Sequence, residues 1–447
     1  MAIAAGCAYA AGPPPAQPAG AGAAKPIVID LQEALRRARA YSQQFQTAAT
    51  NAAVARESRR QARAAELPTV DALNQFIYTQ GNGTPSGVFV ANDGVHVYNE
   101  QAIVRENLFS LFRRGKYRQA SAAEALAVAQ REIAARGLVL TVTQDYYNLA
   151  AAQRKVANAV QALDAARNFV NLTEKQERAG DISHVNVVKA QLQLELRDRD
   201  LLTAKLAAEQ ARLTLAVLLF PGFDQNFTIA DDLSTLQPLG SWGQVKALAF
   251  RNNPELRAAQ ASVREAHSAT TVARYAYLPA LAVNFYYGID ANQFAAEANN
   301  VSGVNRSTLP NYLVRQRQNL GYSADVTLDI PVWNWGATRS RVRQSELRAR
   351  QAQFNLTAAQ RRLYANLRSL YDQAATAQQQ VSSLQRSRNL AAENIHLTLL
   401  RYEAGDATAL EVVTAQDSAA LARNVYDNGL SLYHVALANL HTLTGTP

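Results

Sequence analysis

The chain is written twice, and this constrains its fold more than any other feature. Asp30-Leu31-Gln32-Glu33 has the form of a helix N-cap with an acidic residue three positions on, and Ser241-Trp242-Gly243-Gln244 repeats that device 211 positions later. Leu67-Pro68 and Leu278-Pro279 are separated by the same 211, and between each cap and each Leu-Pro lies an Ala-rich, Arg-containing stretch of helical character that proline stops. Arg178-Ala179-Gly180-Asp181 and Glu403-Ala404-Gly405-Asp406 recur at an offset of 225, and Gly115 and Gly336 at 221. The two units therefore match in order with small insertions, which overrules the count of about three domains that 447 residues would suggest. The repeats fall at 27–240 and 241–447.

Each unit reads as helix, strand, loop, strand, very long helix, tight turn and long returning helix. In the second unit Leu281, Val283, Phe285, Tyr287 and Ile289 alternate with Ala282, Asn284, Tyr286 and Gly288; Tyr322, Ala324, Val326, Leu328 and Ile330 alternate with Ser323, Asp325, Thr327 and Asp329. One face is apolar and the other carries acids and amides. These segments, about 279–290 and 320–331, predict strands, as do their counterparts at about 69–80 and 95–109, where Asn74, Gln75, Asn99 and Glu100 interrupt the alternation. Segments of ~10 to 12 residues match what a tilted strand needs to cross a bilayer. A Gly/Asn-rich turn at 81–94 and a longer polar loop at 291–319 connect them.

The long helices carry heptads: Val128, Ala135, Val142, Leu149, Val156, Leu163 and Val170, then Leu356, Leu363, Leu370, Ala377, Leu384 and Ala391. The returning helices add Val187, Leu194, Leu201, Ala208 and Leu215, and less regularly Tyr426, Tyr433 and Leu440. From Lys116 to Arg178 a helix rising ~1.5 Å per residue covers about 90 Å, a rod rather than a globular core. The longest apolar run, Leu213 to Phe220, is far short of the ~18 residues of a membrane helix, so any bilayer crossing must be made by strands.

Residues 1–26 are almost entirely Ala, Gly and Pro and are set aside as signal remnant or linker. Ala4-Ala5-Gly6-Cys7 looks like the end of a lipoprotein signal without its apolar stretch, which makes Cys7 a candidate lipidation site and suggests a start further upstream. A signal cleaved near Ala8-Tyr9-Ala10, and an incidental Cys7, are the other two readings. With one cysteine no disulfide forms within the chain.

The chain has a net charge of +9, and basic residues cluster at helix–strand junctions: Arg56, Arg59, Arg60 and Arg63 before the first strand, Arg113, Arg114, Lys116 and Arg118 after the second, and Arg339, Arg341 and Arg343 after the fourth. Cations at a helix start oppose the macrodipole, so helix stability does not call for them there. Phe109, Phe112, Tyr275, Tyr277, Trp333 and Trp335 stand beside them, giving an Arg and aromatic collar of the kind found at lipid headgroups; a solvated helix face is the alternative for any one cluster. The basic balance brings no nucleic-acid motif with it, and the placement suits lipid. Phosphate-loop, dinucleotide, metalloprotease and hydrolase signatures are absent; His434 and His441, seven apart, lack Cys or acidic companions and read as surface or packing residues. The expectation is no enzyme, no cofactor, no metal and no nucleic acid.

The capped helix, Leu-Pro, strand pair and Ala-rich coil in duplicate, with Asn252-Asn253-Pro254-Glu255-Leu256 in the second unit, resemble the TolC-like outer-membrane efflux proteins over about Ile27 to Thr444. The resemblance implies a mainly α fold with membrane β. Long antiparallel coiled-coil helices would form an α-barrel tunnel in the periplasm, and a homotrimer would close a twelve-stranded β-barrel from four strands per chain. Four strands alone leave two edges that lipid cannot satisfy, so closure by oligomerisation follows physically as well. It further implies a passive outer-membrane duct of a tripartite efflux or secretion system, partnered by a membrane-fusion adaptor and an inner-membrane pump. The gate and docking tips would be 178–190 and 401–415. Gly180 and Gly405 suit the left-handed residue ending a helix, and Asp181 and Asp406 can cap the next one. At the constriction Glu411 keeps one acid, Thr414 stands where a second would be, and Asn186 replaces an acid in the first tip; an ordinary exposed helix residue is the other reading of Glu411. Drug efflux and type I protein secretion are not separated by the residues, and a coiled-coil stalk with a small soluble β-domain is the rival of another class.

Overall fold

A computed structural model describes residues 27–78, 96–222, 227–292 and 320–445. Cys7, the whole turn at 81–94 and all of the loop at 291–319 beyond residue 292 lie outside the described residues.

The duplication is visible element by element. The first repeat runs α1 (Leu31–Tyr41), α2 (Gln43–Ala64), β2 (Thr69–Tyr78), β3 (His96–Phe109), α3 (Leu111–Ala179) and α4 (His184–Leu219), with β1 (Ile27–Ile29) ahead of it and β4 (Phe227–Ile229) after. The second runs α5 (Trp242–Asn252), α6 (Pro254–Tyr275), β5 (Ala280–Asn292), β6 (Leu320–Asp329), α7 (Ala337–Glu403) and α8 (Ala409–Thr444). Matched helices have 11 and 11, 22 and 22, 69 and 67, and 36 and 36 residues.

Local chemistry sets these bounds. Asp30 Oδ1 accepts from the Glu33 amide at 2.7 Å, but the Glu33 carboxylate turns to Arg36 and Arg37 instead of closing the expected box. In the second repeat the Gln244 side chain does reach back to the Ser241 amide, at 3.4 Å. Asn253 caps α6 through the Leu256 amide at 2.9 Å, with Pro254 at the first helical position. The offset between Gly115 and Gly336 does not mark equivalent backbone. Gly115 lies inside α3, where a Cβ would meet Val272 and Tyr275 of α6 at 2.9–3.0 Å, whereas Gly336 precedes α7 at φ +81°.

Two compact units cut across the repeats. One comprises the chain up to Ser42, Leu138–Leu239 and Ala374–Ala438; it holds β1 paired parallel to β4, α1, α4, and parts of α3, α7 and α8. Its buried positions follow the heptads: Val142, Leu149, Leu163 and Val170 in α3, Val187, Leu201 and Leu215 in α4, Tyr426 and Tyr433 in α8. In α7 the predicted positions alternate with a second set, Ala374, Val381, Arg388, Ile395 and Tyr402, so the covered seam has 4-3 spacing throughout.

The other unit, Gln43–Gly137, Gly240–Gln373 and the chain from Asn439, contains a four-stranded antiparallel sheet ordered β2-β3-β5-β6. Val128, predicted to face a seam, is exposed in this unit. Cross-strand partners put Val70, Val104, Phe285 and Ala324 in one row and Ala72, Ala102, Tyr287 and Tyr322 in the next, all on one face. Asn284 donates to Asp325 Oδ1 at 2.9 Å on the other face, where Asn99 also donates to Gln75. The register accounts for half of the interrupted alternation in the first repeat. Gln75 and Asn99 belong to the polar face, while Asn74 and Glu100 share the apolar face with Ile289. Gly288 is required: at φ +156° its Cβ would stand 2.1 Å from the Glu100 carbonyl oxygen. β2 and β6 each lack a second neighbour within the described chain.

Candidate functional site

The two helix–turn–helix tips have one design. At Gly180 (φ +85°) the amide donates to Glu177 O at 2.9 Å and the Asp181 amide to Gln176 O at 2.9 Å; at Gly405 (φ +85°) the corresponding bonds reach Tyr402 O and Arg401 O at 3.1 and 2.8 Å. Both are Schellman endings, in which glycine takes the conformation a Cβ disfavours. Asp181 and Asp406 do not cap the following helices. Two residues further on, Ser183 and Thr408 occupy those positions, because the following helices begin only at His184 and Ala409.

The tips differ in how the next helix starts. Thr408 Oγ1 accepts from the Glu411 amide at 3.3 Å while Glu411 Oε1 accepts from the Thr408 amide at 3.2 Å, a complete capping box. The Thr408 amide, then its hydroxyl, hold the exposed Glu411 carboxyl below its usual range, with a smaller pull from Arg401, whose Nη1 lies 3.6 Å away. Asn186 takes the position equivalent to Glu411, and its amide returns to Ser183 O at 2.9 Å. Thr414, one turn after Glu411, is exposed and turns its hydroxyl to Leu410 O at 2.8 Å. The tips share a small core of Phe169, Val170, Ala190, Tyr402, Ala409 and Val412, with the Phe169 and Tyr402 rings edge to face at 5.2 Å. Behind it Asp417 of α8 accepts from Gln193 and Arg197 of α4.

Farther along the same unit, polar residues that the apolar heptads gave no sign of tie the helices together. Arg154 of α3 holds Asp231 at 2.8 Å and Asp427 of α8 at 3.3 Å, and Asn158 donates to Asp427 at 2.8 Å. Tyr146 donates to Ala230 O at 2.7 Å, and Tyr147 stacks on His434 at 4.1 Å. His434 is a packing residue: its Nε2 lies 3.0 Å from Leu233 O, and burial lowers its pKa. The segment after β4 is thereby fastened to α3 and α8.

The collar residues divide into two groups. Arg56 and Arg59 pair with Glu124, and Arg113 donates to the Ala65 carbonyl past the end of α2, so these serve the fold. Arg114, Arg339 and Arg341 are exposed, as are Trp333 and Trp335, whose rings meet edge to face at 5.8 Å. Trp335, 90 % exposed, adopts a left-handed φ of +55°. Among the described residues no cluster of three or more His, Cys, Asp and Glu forms, and no helix is long and apolar enough to cross a membrane.

A duplicated strand-pair and long-coil chain with an open antiparallel sheet is a recognisable class. The family model described as outer membrane efflux protein matches residues 34–219 and 245–446, and the chain belongs to that family. This places it among outer-membrane export proteins rather than enzymes. No curated protein matches it in sequence. Among solved structures it is similar to the Campylobacter jejuni CmeC outer membrane channel, with 15 % identity, TM-score 0.76, and coverage of 93 % of this chain and 85 % of that one. It is also similar to the outer membrane protein VceC of Vibrio cholerae (16 %, 0.75, 93 % and 96 %) and to the open state of the Neisseria gonorrhoeae MtrE outer membrane channel (20 %, 0.73, 93 % and 88 %).

Proposed function

We propose that three copies of this chain join their sheets edge to edge, β2 of one to β6 of the next, into a twelve-stranded barrel through the outer membrane. Their helices form a periplasmic tunnel that an inner-membrane pump and its adaptor supply. The carrying observation is the open four-stranded sheet. Its apolar face needs lipid and its edge strands need partners, and a closed barrel meets both needs. The exposed stripe Val185, Val188, Leu192, Leu202 and Leu206 on α4 has the spacing of a helix seam and supports contact between copies. Arg114, Arg339, Arg341, Trp333 and Trp335 then meet headgroups where strands pass into helices, and the tips around Gly180, Asp181, Gly405 and Asp406 meet the adaptor.

Glu411 contributes one carboxylate per chain to the constriction, bordered by Thr414 and Asn186. Reconstitution in planar bilayers tests both parts. The protein should give channels blocked by divalent cations from the tip side, and Glu411→Gln, which keeps the capping hydrogen bonds and removes the charge, should weaken that block. Absence of conductance from trimers, including trimers of a tip variant such as Arg401→Ala, sinks the duct; unchanged block by Glu411→Gln sinks the gate assignment.

A further inference from the structure

A cavity of about 400 Å³ opens between α3, α7 and α8, lined by Arg154, Asn158, Arg388, Asn389, Arg423 and Asp427 among others. Its volume falls at the low end of the ~300–1,000 Å³ typical of small-molecule sites. Three guanidinium groups and one carboxylate line it. Arg154 is already shared between Asp231 and Asp427, and Asp427 takes a further hydrogen bond from Asn158. That leaves Arg388 and Arg423, neither of which has a carboxylate within ion-pair distance among the described residues.

Both remaining arginines are half-buried and positioned. Arg423 donates to Gln161 at 3.1 Å. Arg388 lies 4.4 Å above the Tyr426 ring, in a seam position of α7 between Leu384 and Ala391 where an apolar side chain would pack. Partly desolvated cations without an anion are costly, and ring stacking offsets only part of that cost. Asn158 spends its amide on Asn424 and Asp427, and Arg423 makes one bond to Gln161, so the remaining N–H groups of the two guanidinium forks are the donors left over, an arrangement that suits a phosphate or a small dicarboxylate.

We propose that this cavity binds a small dianion of the phosphate class, clasped by Arg388 and Arg423 with Asn389 at its edge. The ligand bridges α7 to α3 and α8. Phosphate binding here is independent of transport, because it is measured on the purified full chain in detergent.

Inorganic phosphate is titrated calorimetrically at constant ionic strength, with chloride as the reference anion. The wild type should bind one phosphate per chain. Arg388→Gln/Arg423→Gln should weaken binding at least tenfold, Arg423→Lys should weaken it less, and Arg386→Gln, on the exposed side of α7, should leave it unchanged. Retained helical circular dichroism checks the fold, and Arg423→Lys keeps the test open where the double variant unfolds. Three results overturn the proposal: no phosphate binding by the wild type, equal binding by the wild type and the Arg423 variants, or loss of oligomers by the double variant without any phosphate effect. The last would mean that the arginines meet a carboxylate of a second copy.

Discussion

Gly405→Ala isolates the conformational demand of the second tip. Gly405 sits at φ +85° and an added Cβ meets nothing within 4 Å, so the substitution introduces backbone cost without a clash. A left-handed L-residue costs about 1–2 kcal/mol, and the reduced freedom of the open chain returns about half of that, leaving a net penalty of ~1 kcal/mol. At 1.4 kcal/mol per factor of ten, that is roughly a fivefold rise in local opening. Hydrogen exchange reads this at the Gly405 and Asp406 amides, which close the Schellman turn on Tyr402 and Arg401. We expect about fivefold faster exchange in peptides spanning 402–408, a smaller effect for Gly405→Asn, and no change at the matching Gly180 turn. Unaltered exchange at 402–408, or equal acceleration along the middle of α7, would refute the assignment of this glycine as a local stop.

Gly288→Ala should be far more severe, because its Cβ would fall 2.1 Å from the Glu100 carbonyl; loss of assembled protein from the outer-membrane fraction checks it. Glu411 has a folded-state pKa below its unfolded value, so its contribution to the α8 start is present above pH ~4.3 and is lost as pH falls through the lowered value. The protection of the Thr408 amide, its exchange rate relative to the intrinsic rate at the same pH, should fall on acidification below pH ~4, and that dependence should vanish in Glu411→Gln. Leu367→Ala, at a fully buried seam position, should cost about 2–5 kcal/mol by denaturant unfolding. Leu202→Glu/Leu206→Glu on exposed α4 should leave the monomer's helicity intact and abolish oligomers on native gels.

Much of this architecture was legible because it rests on local rules written twice. Caps, Leu-Pro stops and the two glycine turns each depend on a few adjacent residues, and duplication separates them from chance. Strand register in the first repeat was hidden because Asn74 and Glu100 stand on the apolar face, so period-two reading fails where two polar residues oppose one another. The aspartates after the glycines misled for another reason. They stand inside the turn itself, and the next helices begin only at His184 and Ala409, so the cap falls to Ser183 and Thr408. The polar ties across the helices were also invisible, since Arg388, Asp427 and Asn158 occupy inward positions that no apolar heptad marks. Their partners lie far along the chain, as with Arg154 and Asp427.

Single-particle electron microscopy of the protein in lipid nanodiscs shows directly whether three copies close one barrel. A three-fold particle is expected whose bilayer-embedded part is one closed barrel of twelve strands, with β2 of each copy beside β6 of the next. A monomer with its four-stranded sheet covered outside the bilayer, or a solid helical stalk, would contradict it.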